Sequence, residues 1–350
     1  MEHMAEEYAS RIARIRRLTP EEEKQKQEKE KKESEDKFTN EIYGTGNVSD
    51  RIFSNIQKFQ HEEYQYLNLI HNIIDNGTWE EGRNGKTKSI FGNMMRFSLK
   101  DGKIPILTTK KTAWKTCLKE LLWFIRGETD NKILKEQGVH IWDANGSREF
   151  LDSRGLNQYE EDELGAIYGR QWRHFNADCD VFGKRSENSQ GIDQLQQVID
   201  ALKDPKQRTS RRLIISAWNP CQLDQAALPP CHCFFQFNIH DGNKLSCAMY
   251  QRSCDFFLGI PINIASYSML THLLANHCGL EAYEFIHSMG NIHLYENAID
   301  AATLQITREP YPFPTVSIKE IRENINDYQV EDFEIHNYKS HDAIKVAMVA

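Results

Sequence analysis

Apolar residues recur along the chain in two patterns, a helical spacing and a strict alternation, and the order in which they appear predicts the fold class. Tyr66, Leu67, Ile70 and Ile74 share one helical face, and Asn76-Gly77 is a stop signal. Lys88 to Leu99 alternates as a strand and ends in a turn at Asp101-Gly102. A second helix is predicted over Ala113 to Arg126, with Trp114, Leu118, Leu121, Leu122 and Ile125 inward and Gly127 after it. A third runs from about Asp193 to Lys203, stopped by Asp204-Pro205. Arg211 to Trp218 reads as a strand, and Phe234 to His240 with Leu245 to Asp255 as a hairpin closed at Asp241-Gly242. Ile262 to His277 is apolar nearly all round, as a buried helix must be. Tyr283 to Tyr295 and Tyr311 to Ile318 add strands, with a helix from Asn297 to Thr307 between them. Helices and hairpins mix without a regular βαβ repeat, which predicts an α+β fold rather than a doubly wound sheet.

The first 58 residues break this patterning. Residues 18 to 37 are dominated by Glu, Lys and Gln with almost no apolar residue, so they cannot bury enough surface to offset their ordering entropy. The expectation is a charged arm over 1–58, disordered or a solvated helix, a hinge at Gly44 to Asn47, and one catalytic unit over 59–350. A chain starting near residue 58 is expected to fold on its own.

Composition narrows the function. The 350 residues carry a net charge of -8 and 39% are hydrophobic, enough for a globular core. An acidic chain is a poor match for a broad nucleic-acid surface, although a few arginines can still bind a small phosphate ester. The eight cysteines form no Cys-x-x-Cys pair and have no zinc spacing, which predicts reduced thiols, no metal, and a cytoplasmic location. No apolar run is long enough to span a membrane. Arg11, Arg14, Arg16 and Arg17 hint at a transit peptide, but Glu2, Glu6, Glu7 and Glu21 to Glu23 argue against one.

Four features could carry chemistry. Cys231 follows two prolines in Ala227-Leu228-Pro229-Pro230-Cys231-His232. A rigid approach suits a nucleophile, and basic neighbours would lower its pKa; alone, a cysteine reads as a small buried hydrophobe. Arg83, in a glycine-containing loop, the adjacent Arg211 and Arg212, and Arg252 offer guanidinium forks for a phosphate, or are ordinary surface charges. Asn263 offers a donor and an acceptor on one edge, which matches uracil, or is a helix cap or a satisfied core amide. Glu120 lies on an otherwise apolar side of its helix. It is either at the surface or buried with a raised pKa, and periodicity does not decide.

Taken together, the motifs resemble thymidylate synthase. They are Glu120–Gly127 (ELLWFIRG), Ile141–Asp152 (IWDANGSREFLD), Tyr168–Phe175 (YGRQWRHF), Ser210–Asn219, Ala227–His232 and Tyr250–Ser266 (YQRSCDFFLGIPINIAS). The similarity runs from about Glu62 to the last residue. It implies an α+β domain with a large mixed sheet flanked by helices, packed sheet to sheet in a homodimer. It implies that Cys231 adds to C6 of dUMP and that Arg83 and Arg252 hold the phosphate, with Arg211 and Arg212 donated in trans. Gln251 and Ser253 would surround the nucleotide, Asn263 would read uracil, and His293 and Tyr295 would hold the ribose. Asp255 would bond the pterin of 5,10-methylenetetrahydrofolate, beside Trp142, Leu258, Gly259 and Ile262. Glu120, His232 and Tyr168 would move protons. Lys345 to Ala350 would close over the folate. No nicotinamide and no metal are implied.

The chain departs from the family pattern at the Arg83 loop, which is rich in lysine. Further departures are Ile262 for a usual phenylalanine, Asn291 for a frequent aspartate, Ala298 for a histidine, and Ser340 and Asp342 for prolines. None removes a residue given a direct chemical role. Two alternatives follow from the same residues. One is a pyrimidine deoxynucleotide hydroxymethylase, in which water replaces hydride. The other is a catalytically weak regulatory paralogue.

Overall fold

The structure, a computed structural model, describes residues 61–82 and 84–349, together with Glu21 and Lys29. Apart from those two residues, the expected arm over 1–58 and its hinge lie outside the described residues. The chain divides into units of residues 1–60 and 61–350, and the second holds the sheet, the core and the site.

Helix α1 (Tyr64–Asn76) buries Tyr66, Leu67, Leu69, Ile70 and Ile73 on one face and ends where the Gly77 N–H bonds the Ile73 carbonyl. It leads into strands β1 (Thr78–Gly82) and β2 (Gly85–Ser98), an antiparallel hairpin. At the N-terminus of α1, Glu63 is fully buried. Its carboxylate accepts from the backbone N–H and the hydroxyl of both Thr108 and Thr109, at 2.6–3.0 Å.

Helix α2 (Trp114–Ile125) is followed by four short helices: α3 (Lys132–Glu136), α4 (Asp143–Gly146), α5 (Arg148–Ser153) and α6 (Tyr168–His174). Helix α7 (Gln194–Lys203) is capped by the Asp193 side chain, which accepts from the Gln196 N–H. Strand β3 (Ile214–Ser216), β4 (His232–His240) and β5 (Lys244–Asp255) follow. The β4–β5 turn places Asp241 and Gly242 in the left-handed region, as the predicted hairpin requires. Then come helix α8 (Gly259–His277), strand β6 (Glu281–Tyr295), helix α9 (Ile299–Ile306) and the β7 (Thr315–Ile318)–β8 (Phe333–His336) pair.

The main sheet has the order β1-β2-β6-β5-β4-β3. It is mixed: β5 and β6 run parallel, with α8 as the crossover, and every other neighbouring pair is antiparallel. Helix α8 packs on β5 and β6 and is buried on almost every side, which explains its all-round apolar sequence. Among the described residues no helix is long and apolar enough to cross a membrane.

Three predicted elements are shorter or more broken than the pattern suggested. The strand expected over Arg211 to Trp218 shrinks to β3, and Arg211 and Arg212 sit in the exposed turn before it rather than on the ladder. The strand expected from Tyr311 starts only at Thr315, because Pro310, Pro312 and Pro314 have no N–H to donate. The helix expected from Asn297 opens as a 3-10 turn, Glu296–Ala298, before α9.

Candidate active site

The ends of β4, β5 and β6, the first turn of α8, and helices α2 and α6 converge on a cavity of about 340 Å³. Cys231, Glu120, His232, Tyr168, Gln251, Arg252, Ser253, Asp255, Asn263, His293, Tyr295, Trp142, Gly259 and Ile262 all line it. Most of the sequence-derived candidates therefore meet at one place.

Cys231 stands at the entry to β4 and is partly exposed to the cavity. Pro229 and Pro230 bring it there, and the reason they suit the position is visible in their carbonyls. Arg252 Nε donates to Pro230 O at 2.9 Å and its Nη2 to Pro229 O at 2.8 Å, while the Arg252 N–H bonds the Cys231 carbonyl. One guanidinium thus clamps the segment that carries the thiol, and its remaining N–H groups are left for an anion. The Cys231 N–H donates to the Tyr168 hydroxyl at 2.7 Å. Burial pushes the Cys231 thiol above its ordinary range, with Arg252 and Tyr168 opposing. Among the described residues Arg252 is the cation that lowers the thiol pKa, as a basic neighbour should, and burial works against it.

Glu120 takes the buried reading. Trp142 Nε1 donates to its Oε1 at 2.8 Å, and burial raises the carboxyl from 4.5 to about 7 against that bond. His232 is held down to about 4 by burial, opposed by its hydrogen bond with Asn263, so the imidazole is neutral. Tyr168 packs against it with ring centroids 4.9 Å apart, and burial drives the phenol well above its usual range. A neutral imidazole, a phenol and a carboxyl near neutrality form a polar wall able to pass a proton without creating a fixed charge.

Asn263 is buried near the start of α8 and lines the cavity. Asp255 Oδ1 accepts from the Phe257 and Leu258 N–H groups, both at 3.1 Å, which fixes its carboxylate at the β5–α8 junction. At the end of β6, His293 Nδ1 lies 2.8 Å from Asn291 Oδ1 and packs edge-on to Tyr295. The tail also reaches the cavity through Met348 and Val349, and Asn297 Nδ2 donates to the Ala347 carbonyl at 3.1 Å.

Some candidates stand elsewhere. Arg211 and Arg212 do not line this cavity, and neither does Leu258, whose N–H donates to the Asp255 carboxylate. Arg83 and Ala350 lie outside the described residues. Conversely, Phe124, Ile141, Asn145 and Leu228 line the cavity without having been singled out. Their signal was present in the quoted motifs, but an apolar or amide side chain in a loop does not announce a site. His287, fully buried against Gln251, was also missed, because on a strand it reads as core. Among the described residues no group of three or more His, Cys, Asp or Glu is arranged to hold a metal ion.

The family model for thymidylate synthase matches residues 64–350. The chain is 48% identical over 290 residues to the bifunctional dihydrofolate reductase-thymidylate synthase of Leishmania major, covering 82% of this chain and 55% of that protein. It is 49% identical over 302 residues to the protein of that name from Plasmodium berghei (strain Anka), covering 86% and 50%. The corresponding protein of Paramecium tetraurelia is 49% identical over 293 residues, covering 83% and 62%. The chain thus spans about half the length of these curated relatives. With a family match over nearly all of the second unit and a cavity built from the motifs that carry the resemblance, the chain belongs to the thymidylate synthase family.

Proposed function

We propose that this chain methylates dUMP at C5 to give dTMP, with 5,10-methylenetetrahydrofolate as donor of both the carbon and the hydride and dihydrofolate as its product. The observation that carries the reading is the convergence on one cavity of a clamped thiol, a uracil-matching amide and a carboxyl near neutrality. In the proposed reaction Cys231 loses its proton and Sγ bonds to C6, which makes C5 a carbon nucleophile. Asn263 accepts from N3–H and donates to O4, an arrangement that cytosine would reverse. After C5 has taken up the one-carbon unit, the C5 proton leaves through the Glu120, His232 and Tyr168 wall. The bond from that one-carbon unit to the folate nitrogen then breaks to leave an exocyclic methylene, the tetrahydrofolate so formed delivers hydride to it, and the electron pair pushed onto C5 expels the Cys231 thiolate from C6, giving dTMP and dihydrofolate. Trp142 and the tail exclude the water that would otherwise quench the methylene.

Arg252, with Arg83, is assigned to the phosphate, and His293 with Tyr295 to the ribose. Arg211 and Arg212 are assigned to the site of a second copy. The outward sheet face supports such a homodimer. Met94, Ser288, Tyr250, Phe234 and Ser216 are aligned by register across β2, β6, β5, β4 and β3, and Phe91 is 82% exposed nearby. Large apolar side chains on an open sheet face are what a partner sheet would cover.

The test is turnover of dUMP with methylenetetrahydrofolate, following dihydrofolate by absorbance and the nucleotide by mass. Equal amounts of dTMP and dihydrofolate are expected. A hydroxymethyl nucleotide with tetrahydrofolate would move the chain to the hydroxymethylase reading, and bound dUMP without product to a weak paralogue.

A further inference from the structure

We infer that His287 is a positioning residue, locking the Gln251 carboxamide in the orientation that leaves an N–H, rather than the carbonyl, for the nucleotide. The inference deepens the reading of the cavity as a pyrimidine nucleotide site and rests on it for its ligand.

Gln251 lies on β5 in the cavity wall and is 3% exposed. A carboxamide of this kind has two orientations of nearly equal shape, and they present opposite groups to a ligand. Here two neighbours choose between them. The Ser253 carbonyl, 3.0 Å from Gln251 Nε2, can only accept, so the amide nitrogen must face it. The other neighbour is His287, behind the amide on β6, 2.9 Å from Gln251 Oε1 through Nε2. Because Oε1 can only accept, that Nε2 must carry the hydrogen. His287 Nδ1 then holds a bare lone pair, and it is buried without a hydrogen-bond partner among the described residues. The ring itself is fully buried and neutral, held down to about 3 by burial and by nearby His232. A charged ring would have to donate from both nitrogens, and among the described residues only the Gln251 oxygen accepts from it.

The lock is therefore a single tautomer, an Nε2–H imidazole that cannot exchange roles without leaving two acceptors face to face. With Oε1 engaged by His287 and one amide hydrogen engaged by Ser253, the other amide hydrogen is what Gln251 can offer a substrate. Nothing in the cavity wall itself needs a histidine at 287, since the ring touches no part of the cavity surface.

The test uses the full chain and dUMP as probe. His287→Leu removes the donor, frees the amide to rotate, and is expected to raise the dUMP Kd about tenfold or more. His287→Gln, whose amide nitrogen reaches the same place, is expected to recover most of that loss. In a Gln251→Ala background, His287→Leu is expected to change the Kd by less than about twofold, because the group it positions is gone. An unchanged Kd in His287→Leu, or the same fold loss in both backgrounds, would overturn the inference and leave His287 as core filling. If the unaltered chain failed to bind dUMP, the substrate reading would fall, and the lock would still be judged by 15N imidazole spectra. An Nε2–H tautomer that is lost in Gln251→Ala supports it; an Nδ1–H or charged ring in the unaltered chain overturns it.

Discussion

Replacing Glu120 by Gln should remove turnover and at the same time stabilise the protein, in a pH-dependent way. The carboxyl is buried, and its pKa stands at about 7 against an ordinary 4.5 because burial penalises the charge more than the Trp142 bond supports it. The native state therefore holds this proton more tightly than the unfolded chain. The associated stability is fully present below pH 4.5, falls as pH rises, and is gone once the pH passes about 7. At about 1.4 kcal/mol per pKa unit, the loss between pH 5 and pH 8 is about 3 kcal/mol. Glutamine carries no charge and still offers Trp142 an acceptor, so the variant escapes this loss. Urea denaturation of both proteins at steps from pH 5 to pH 8 measures it, since all other titrating groups cancel in the difference. The two stabilities should separate steadily in favour of Glu120→Gln. Curves that stay parallel over that range would refute the idea that an ionised Glu120 is held at a cost.

Cys231→Ala should abolish turnover while dUMP binding, measured by calorimetry, survives in part through Arg252 and Asn263. Glu63→Gln should lower stability by about 3 kcal/mol, since its new NH2 would replace an oxygen that accepts from two or three of the Thr108 and Thr109 donors; thermal melting tests this. Gly290→Ala should raise the dUMP KM about tenfold, because its Cβ would fall 2.9 Å from both the Arg252 carbonyl and the Tyr250 hydroxyl and push Arg252 off its clamp. Steady-state kinetics with normal melting would show whether that effect is local.

The elements that could be read from the sequence were those whose local and global demands agree. Helix α8 is apolar all round because it is buried all round, and the β4–β5 hairpin is announced by Asp241-Gly242. Helices α3 to α6 were not found, since each has too few turns to display a period and is held by loops around it. The site residues were legible as chemistry only where a residue type is costly in a core, as with Glu120 and Asn263. The thiol pKa was not legible, because it depends on how much water the folded cavity removes. His287 was hidden for a related reason: alternation places it inward, and only the partner strand shows that a glutamine waits there.

The parallel pairing of β5 with β6 also dictates an order of assembly. The β4–β5 hairpin can close through its own three-residue turn, Asp241 to Asn243, and it carries Cys231, Gln251 and Arg252 into register with it. A parallel neighbour cannot be reached that way; the chain must first lay down all of α8 and return. His293 and Tyr295, at the far end of β6, therefore take their places only after this longer loop has closed, a slower event than forming the hairpin. The thiol and its clamp are thus expected to come together early in refolding, and the cavity wall to be complete only once the crossover has closed.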